Sequence, residues 1–160
     1  MALGCRIEHI FHHWLVKPVT RKEQDREDLL REATALIEAT PEAIWAILTD
    51  AENYTAWDSG ILQLEGEIAL GESIKLTAEV NPGRAFALKV ADFVPPERMT
   101  WVGGMPLGLF RGVRDFQLAA EGNETRITVR EKFSGPLLPL IGRGIPDLTD
   151  SFNQFVQGLK

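Results

Sequence analysis

The sequence of 160 residues predicts an α+β domain in which a curved antiparallel sheet packs against a long C-terminal helix. The first observation is the order of segments, which is one strand, two short helices, five or six further strands and a final helix. The second is that short links with turn residues join the later strands, because hairpin-length links connect antiparallel neighbours. The third is an apolar face along the last segment, which has to be buried against the sheet.

The first strand and the two short helices are expected within residues 31–60. Residues 31–39 (REATALIEA) have strand character. Thr40 can cap the helix that follows, Pro41 suits its first position, and the helix is expected to continue through Leu48. A second short helix is expected to begin at Asp50 and to end near Gly60.

Strand patterns and turn residues alternate over the next seventy or so positions. Residues 81–83 (Asn-Pro-Gly) and 122–123 (Gly-Asn) have the composition of tight turns. The predicted strands cover residues 61–68, 73–80, 84–93, 98–102, 110–119 and 125–133.

The final helix is predicted from residue 145 to residue 159, because its apolar residues fall on one face. Asp147 and Asp150 lie early in this segment, where the helix dipole favours negative charge. The apolar face consists of Ile145, Leu148, Phe152, Phe155, Val156 and Leu159.

Residues 1–28 are predicted to form an N-terminal extension to the domain at residues 29–160. A charged run at residues 17–28 follows a short amphipathic pattern. That pattern could cap the domain, contact a second copy or another protein through residues 7–15, or touch a membrane surface. The apolar stripe consists of Ile7, Ile10, Phe11, Trp14 and Leu15.

Composition and motifs exclude several classes of protein. The net charge is −6, and residues 33–160 carry 11 basic against 17 acidic residues, so we expect no nucleic-acid partner. No apolar run reaches the length of a membrane span, and the single Cys5 favours no disulfide framework, so we expect a cytoplasmic protein. Phosphate-loop, dinucleotide and serine-hydrolase motifs are absent, and we expect no cofactor.

A metal site is also not expected. The three histidines, His9, His12 and His13, all lie in the extension, and no further ligand has the spacing that a metal site needs. Residues 29–160 therefore contain no imidazole that could act as a general base.

Two stretches resemble the SRPBCC superfamily, also called START-like or helix-grip proteins, in its polyketide cyclase/dehydrase and lipid-transport branch. The first is residues 33–61, ATALIEATPEAIWAILTDAENYTAWDSGI. The second combines residues 108–118, GLFRGVRDFQL, with residues 125–135, TRITVREKFSG. The resemblance implies a helix-grip fold of seven strands around the C-terminal helix, with a cavity between them that binds an apolar molecule.

One pair of charged residues is expected inside the domain. In the last strand Glu131 shares a face with Ile127 and Val129, because side chains alternate along a strand. Arg114 shares a face with Phe116 on the preceding strand and could neutralise Glu131. We interpret the two either as a cross-strand ion pair at the cavity rim or as groups that orient a ligand or transfer a proton.

Aromatic residues from five elements are the candidate cavity walls, because large apolar rings with few polar atoms suit a ligand pocket. The loop at residues 102–109 (VGGMPLGL) is either a lid or an ordinary irregular hairpin. The predicted ligand-binding residues are Trp57, Phe86, Trp101, Arg114, Phe116, Glu131 and Phe152.

Three functions follow from this interpretation. The first is binding or transport of a small hydrophobic molecule of lipid, polyketide or isoprenoid type. The second is a cyclase or dehydratase acting in the same cavity, for which Glu131 is the candidate acid or base. The third is a lipid carrier that acts through a protein partner, for which the stripe in residues 7–15 would be the contact.

Overall fold

The structure is a computed structural model that describes residues 29–160. Its main element is a curled antiparallel sheet of seven strands in the order β1-β7-β6-β5-β4-β3-β2. The strands are β1 (Leu29–Ile37), β2 (Ile61–Glu65), β3 (Ser73–Ala78), β4 (Ala85–Val94), β5 (Arg98–Gly104), β6 (Arg111–Glu121) and β7 (Glu124–Ser134). The predicted α+β helix-grip architecture is confirmed. The amphipathic stripe and the histidines of residues 1–28 lie outside the described residues.

Three α-helices and three short 3₁₀ turns complete the domain. Thr40 caps the first helix as predicted, since its Oγ1 accepts a hydrogen bond of 3.3 Å from the backbone N of Ala43. The helices are α1 (Pro41–Leu48), α2 (Leu138–Ile141) and α3 (Thr149–Gly158), and the 3₁₀ turns are Ala51–Asn53, Pro106–Gly108 and Gly142–Gly144.

Two helix predictions need correction. The expected second short helix is only the 3₁₀ turn at Ala51–Asn53. The C-terminal helix begins at Thr149 rather than at Ile145. Ile145 is extended, with φ −78° and ψ 120°, because the ring of Pro146 disfavours helical geometry in the residue before it.

The core lies between the inner face of the sheet and helix α3, which packs most closely against β1. Phe155 is at its centre. Its ring centroid is 6.2 Å from that of Tyr54, 5.0 Å from that of Trp57 and 5.8 Å from that of Phe116. These contacts anchor α3 over one end of the sheet.

Candidate functional site

The other end of the inner sheet face carries a cavity of about 580 Å³, within the range typical of small-molecule sites. Strands β3 to β7 form its floor and sides. The segment from Ile141 to Leu148, which precedes α3, covers it. The expected position between the sheet and the C-terminal helix is therefore corrected, because no residue of α3 itself lines the cavity.

The strand register places three of the predicted site residues side by side. Trp101 on β5 is directly opposite Arg114 on β6, and Arg114 is directly opposite Glu131 on β7. Directly opposed residues project from the same face of a sheet. All three line the cavity, as does Phe86 from β4.

The predicted ion pair is present within the cavity. Arg114 donates from Nη2 and from Nε to the same carboxylate oxygen, Oε2 of Glu131, over 2.7 and 3.2 Å. The Arg114 and Glu131 side chains are only 16% and 12% exposed. At that depth the attraction between the charges offsets the cost of removing both from water only while both partners are present.

Arg114 is also held from the side of the core. Its guanidinium carbon is 5.0 Å from the centre of the Phe152 ring, a distance typical of a cation–π contact. Phe152 therefore fixes the position of Arg114 without lining the cavity itself.

Two glycines create space beside the ion pair. Gly103 on β5 and Gly112 on β6 are directly opposite each other, and both line the cavity. A Cβ at Gly112 would lie 3.2 Å from Cε1 of Phe133 and 3.7 Å from Oε1 of Glu131. Sequence reasoning missed these glycines, although a glycine within a strand often marks a close approach of ligand or backbone.

Three predicted wall residues lie outside the cavity. Phe116 and Phe152 are buried in the core that α3 covers and are not among the residues that line the cavity. Trp57 packs on Phe155 and borders a second, more open hollow of about 320 Å³ near α1. For these residues the prediction of a cavity wall is wrong.

The loop between β5 and β6 borders the cavity mouth. Met105 and Phe110 line the cavity, whereas Leu107 is 96% exposed and has a positive φ of 59°. The backbone N of Leu137 donates to the carbonyl oxygen of Leu109 over 3.0 Å, which ties the loop to the segment before α2. The structure thus places this loop where a lid would lie, and its role as a lid stays a prediction.

The charged side chains among the lining residues are Arg84, Arg114 and Glu131. Arg84 is at the exposed rim, with its guanidinium carbon 5.1 Å from the centre of the Phe86 ring.

Within residues 29–160 no cluster of three or more metal-ligating side chains is found. Over the same residues, no helix is long and apolar enough to cross a membrane.

Together, the curled sheet, the helix at one end and the cavity at the other define a helix-grip protein. Residues 31–160 match the family model described as polyketide cyclase/dehydrase and lipid transport. The chain belongs to this family, as the resemblance implied.

Solved structures show the same fold at low sequence identity. The chain is similar to a START superfamily protein from Mycobacterium smegmatis, with 15% identity, a TM-score of 0.60, and 81% of this chain and 93% of that chain covered. A hypothetical protein from Helicobacter pylori gives 14% identity and a TM-score of 0.64, with coverage of 99% and 96%. A protein from Rhodobacter sphaeroides gives 18% and 0.61, with coverage of 81% and 88%. Among curated proteins, none matches the chain.

Proposed function

We propose that the protein binds a small hydrophobic molecule of lipid, polyketide or isoprenoid type in the cavity of about 580 Å³. The observation that carries the proposal is the cavity itself, which apolar residues largely surround. Each 100 Å² or so of apolar ligand surface that leaves water there contributes about 2.5 kcal/mol to binding. The walls include Leu76, Phe86, Leu88, Trp101, Phe133 and Leu148.

In this proposal Arg114 and Glu131 orient the ligand, because they are the charged side chains on the cavity floor. Arg84 lies at the rim, so the rim carries a positive charge, whereas the opposite charges of Arg114 and Glu131 neutralise each other on the floor. We further propose that the protein acts in the cytoplasm and has no nucleic-acid partner, which its acidic charge and cysteine content support.

A cyclase or dehydratase is the second candidate, because Glu131 reaches the cavity. Against it, Arg114 occupies Oε2 of that carboxylate with two hydrogen bonds, which favours a fixed ion pair over a group that exchanges protons with a substrate. A lipid carrier that acts through a protein partner at residues 7–15 is the third candidate. It rests on the sequence pattern alone, since those residues lie outside the described part of the chain.

Native mass spectrometry of freshly purified protein tests whether a hydrophobic molecule is bound. We expect an added mass that organic solvent removes. If no added mass is found, the protein is titrated with a neutral fluorescent naphthylamine dye. Failure of the dye to bind would overturn the proposal.

Tryptophan quenching by the dye locates its site. Of the tryptophans that the structure describes, Trp101 lines the cavity, whereas Trp45 packs on Phe93 with 5.2 Å between ring centroids. Trp101→Phe is expected to remove most of the quenching, and Trp45→Phe is the matched control that should retain it. Gly112→Val, which adds bulk beside Glu131, is expected to weaken dye binding, while Ala119→Val at an exposed position of the same strand, outside the cavity lining, is not.

A further inference from the structure

The hydrogen-bonding capacity of the Arg114–Glu131 pair is only partly used within the domain. Both hydrogen bonds from Arg114 end on Oε2 of Glu131. The other carboxylate oxygen, Oε1, lies beside Gly112, a cavity-lining residue that has no side chain to cover it. Arg114 has five N–H donors, of which these two bonds use two. The cavity floor therefore presents one acceptor and further donors at almost the same place.

The charge of this site is zero, because the guanidinium and the carboxylate neutralise each other. A ligand carboxylate placed there would meet Oε1 as a second negative charge, and it has no proton to donate to that oxygen. A hydroxyl group both donates and accepts, so it can donate to Oε1 of Glu131 while accepting from Arg114.

We infer that the buried end of the ligand carries an uncharged hydroxyl group, and that Glu131 is the residue that excludes a carboxylate from this position. The inference rests on the proposed function and adds the ligand class, which is a neutral apolar alcohol rather than a fatty acid. Phe152 supports this selection by holding Arg114 against Glu131.

The contribution of Arg84 to acid binding has to be separated from the exclusion of a carboxylate by Glu131. Arg84 lies at the rim and can attract an anionic head group that points outwards. The comparison is therefore made in the Arg84→Gln variant. The probes are a medium-chain fatty alcohol, the carboxylic acid of the same chain length and the corresponding alkane, each displacing the naphthylamine dye at a pH where the acid is ionised.

In Arg84→Gln the alcohol is expected to bind about tenfold more tightly than both the acid and the alkane. Adding Glu131→Gln frees the positive charge of Arg114. The ratio of the acid affinity to the alcohol affinity is then expected to rise by about tenfold or more. Asp115→Asn is the matched control. Asp115 is the neighbour of Arg114 on β6, projects from the other face of the sheet and accepts from Thr100 over 2.7 Å, so the ratio should not change.

If Glu131→Gln fails to fold because its buried arginine has lost its partner, the double variant Arg114→Met with Glu131→Leu takes its place. This variant removes both charges and replaces them with apolar side chains of similar volume. It should bind the alkane as tightly as the alcohol. Equal affinities for all three probes in Arg84→Gln, or a preference for the acid there, would overturn the inference and leave the proposed function intact. Failure of every probe and of the dye would overturn both.

Discussion

The guanidinium carbon of Arg114 lies 5.0 Å from the ring centre of Phe152, so a residue of helix α3 contacts a cavity residue on strand β6 from the side of the core. Arg114 thus has Glu131 on one side and an aromatic face on the other. This arrangement fixes the guanidinium more firmly than the ion pair alone would, because the ring limits its rotation away from Glu131. The helix and the cavity are linked through this contact although no α3 residue lines the cavity.

The first prediction concerns Phe152. Phe152→Leu is expected to lower the free energy of unfolding by about 1–2 kcal/mol and to weaken binding of a neutral alcohol severalfold, because the ring under Arg114 is lost. Phe155→Leu is the control, since Phe155 packs on Tyr54, Trp57 and Phe116. It should lower stability in urea titrations without changing affinity. Equal effects of the two variants on affinity would contradict a positioning role for Phe152.

The second prediction concerns the ion pair as a unit. Arg114→Met alone should lower the free energy of unfolding by about 3–5 kcal/mol, because Glu131 would remain buried without its partner. Arg114→Met with Glu131→Leu should recover most of that loss. Urea unfolding of the wild type, both single variants and the double variant gives the coupling energy. A double variant as unstable as the sum of the single variants would show that the two side chains contribute independently.

The sheet and the ion pair could be predicted because both follow from the two-residue period of strands. Ile127 and Val129 have to face the core, and the same alternation brings Glu131 to the inner face. Arg114 follows from the same argument on the neighbouring strand. The C-terminal helix was predicted from its apolar face, and the family resemblance added the number of strands, which the structure confirms.

The remaining features depend on how elements lie relative to one another, which periodicity does not describe. Phe152 has the correct apolar spacing, but the helix that carries it lies over the core rather than over the cavity. Gly103 and Gly112 matter only because the register makes them opposite residues. These two glycines provide space because they have no side chain, and a pattern of polar and apolar side chains does not indicate such space.

The third prediction tests how α3 docks. A Cβ at Gly158 would overlap the carbonyl oxygen of Asp58, a backbone atom that cannot move aside cheaply. Gly158→Ala should therefore lower the free energy of unfolding by about 1–3 kcal/mol, since this overlap outweighs the gain in helix propensity of up to about 1 kcal/mol. Gly83→Ala, where nothing lies within 4 Å, is the control and should change stability little. Thermal unfolding of the two variants measures the difference, and a Gly158→Ala protein as stable as the wild type would contradict the close packing.

The fourth prediction concerns acid. Asp147 accepts hydrogen bonds from the hydroxyl and the backbone N of Thr149, and these bonds hold the pKa of its carboxyl below the usual value. Because the pKa is lower in the folded state, the stabilisation is present above the unfolded-state pKa of about 3.9 and is lost as the pH falls through the folded-state value. Asp147→Asn should thus be less stable than the wild type at neutral pH, and the difference should disappear in acid. Urea midpoints measured across that range test the prediction, and a difference that does not depend on pH would contradict it.

The fifth prediction concerns alkali and uses Tyr54, the one tyrosine of the chain. Its hydroxyl donates to the carbonyl oxygen of Leu48 over 2.6 Å, and complete burial raises the pKa of the phenol, an effect that the nearby charge of Arg114 only partly opposes. The unfolded chain loses this proton near pH 10, so the contribution of Tyr54 to stability is complete below that pH and decreases above it by up to about 1.4 kcal/mol per pH unit. Since no other tyrosine interferes, the ultraviolet absorbance of tyrosinate should appear only together with unfolding.

Tyr54→Phe should be less stable at neutral pH by about 1 kcal/mol, because the Leu48 carbonyl loses its donor, yet should lose less stability above pH 10. A tyrosinate signal that rises while the tryptophan fluorescence remains native would show that Tyr54 is accessible to solvent in the folded protein.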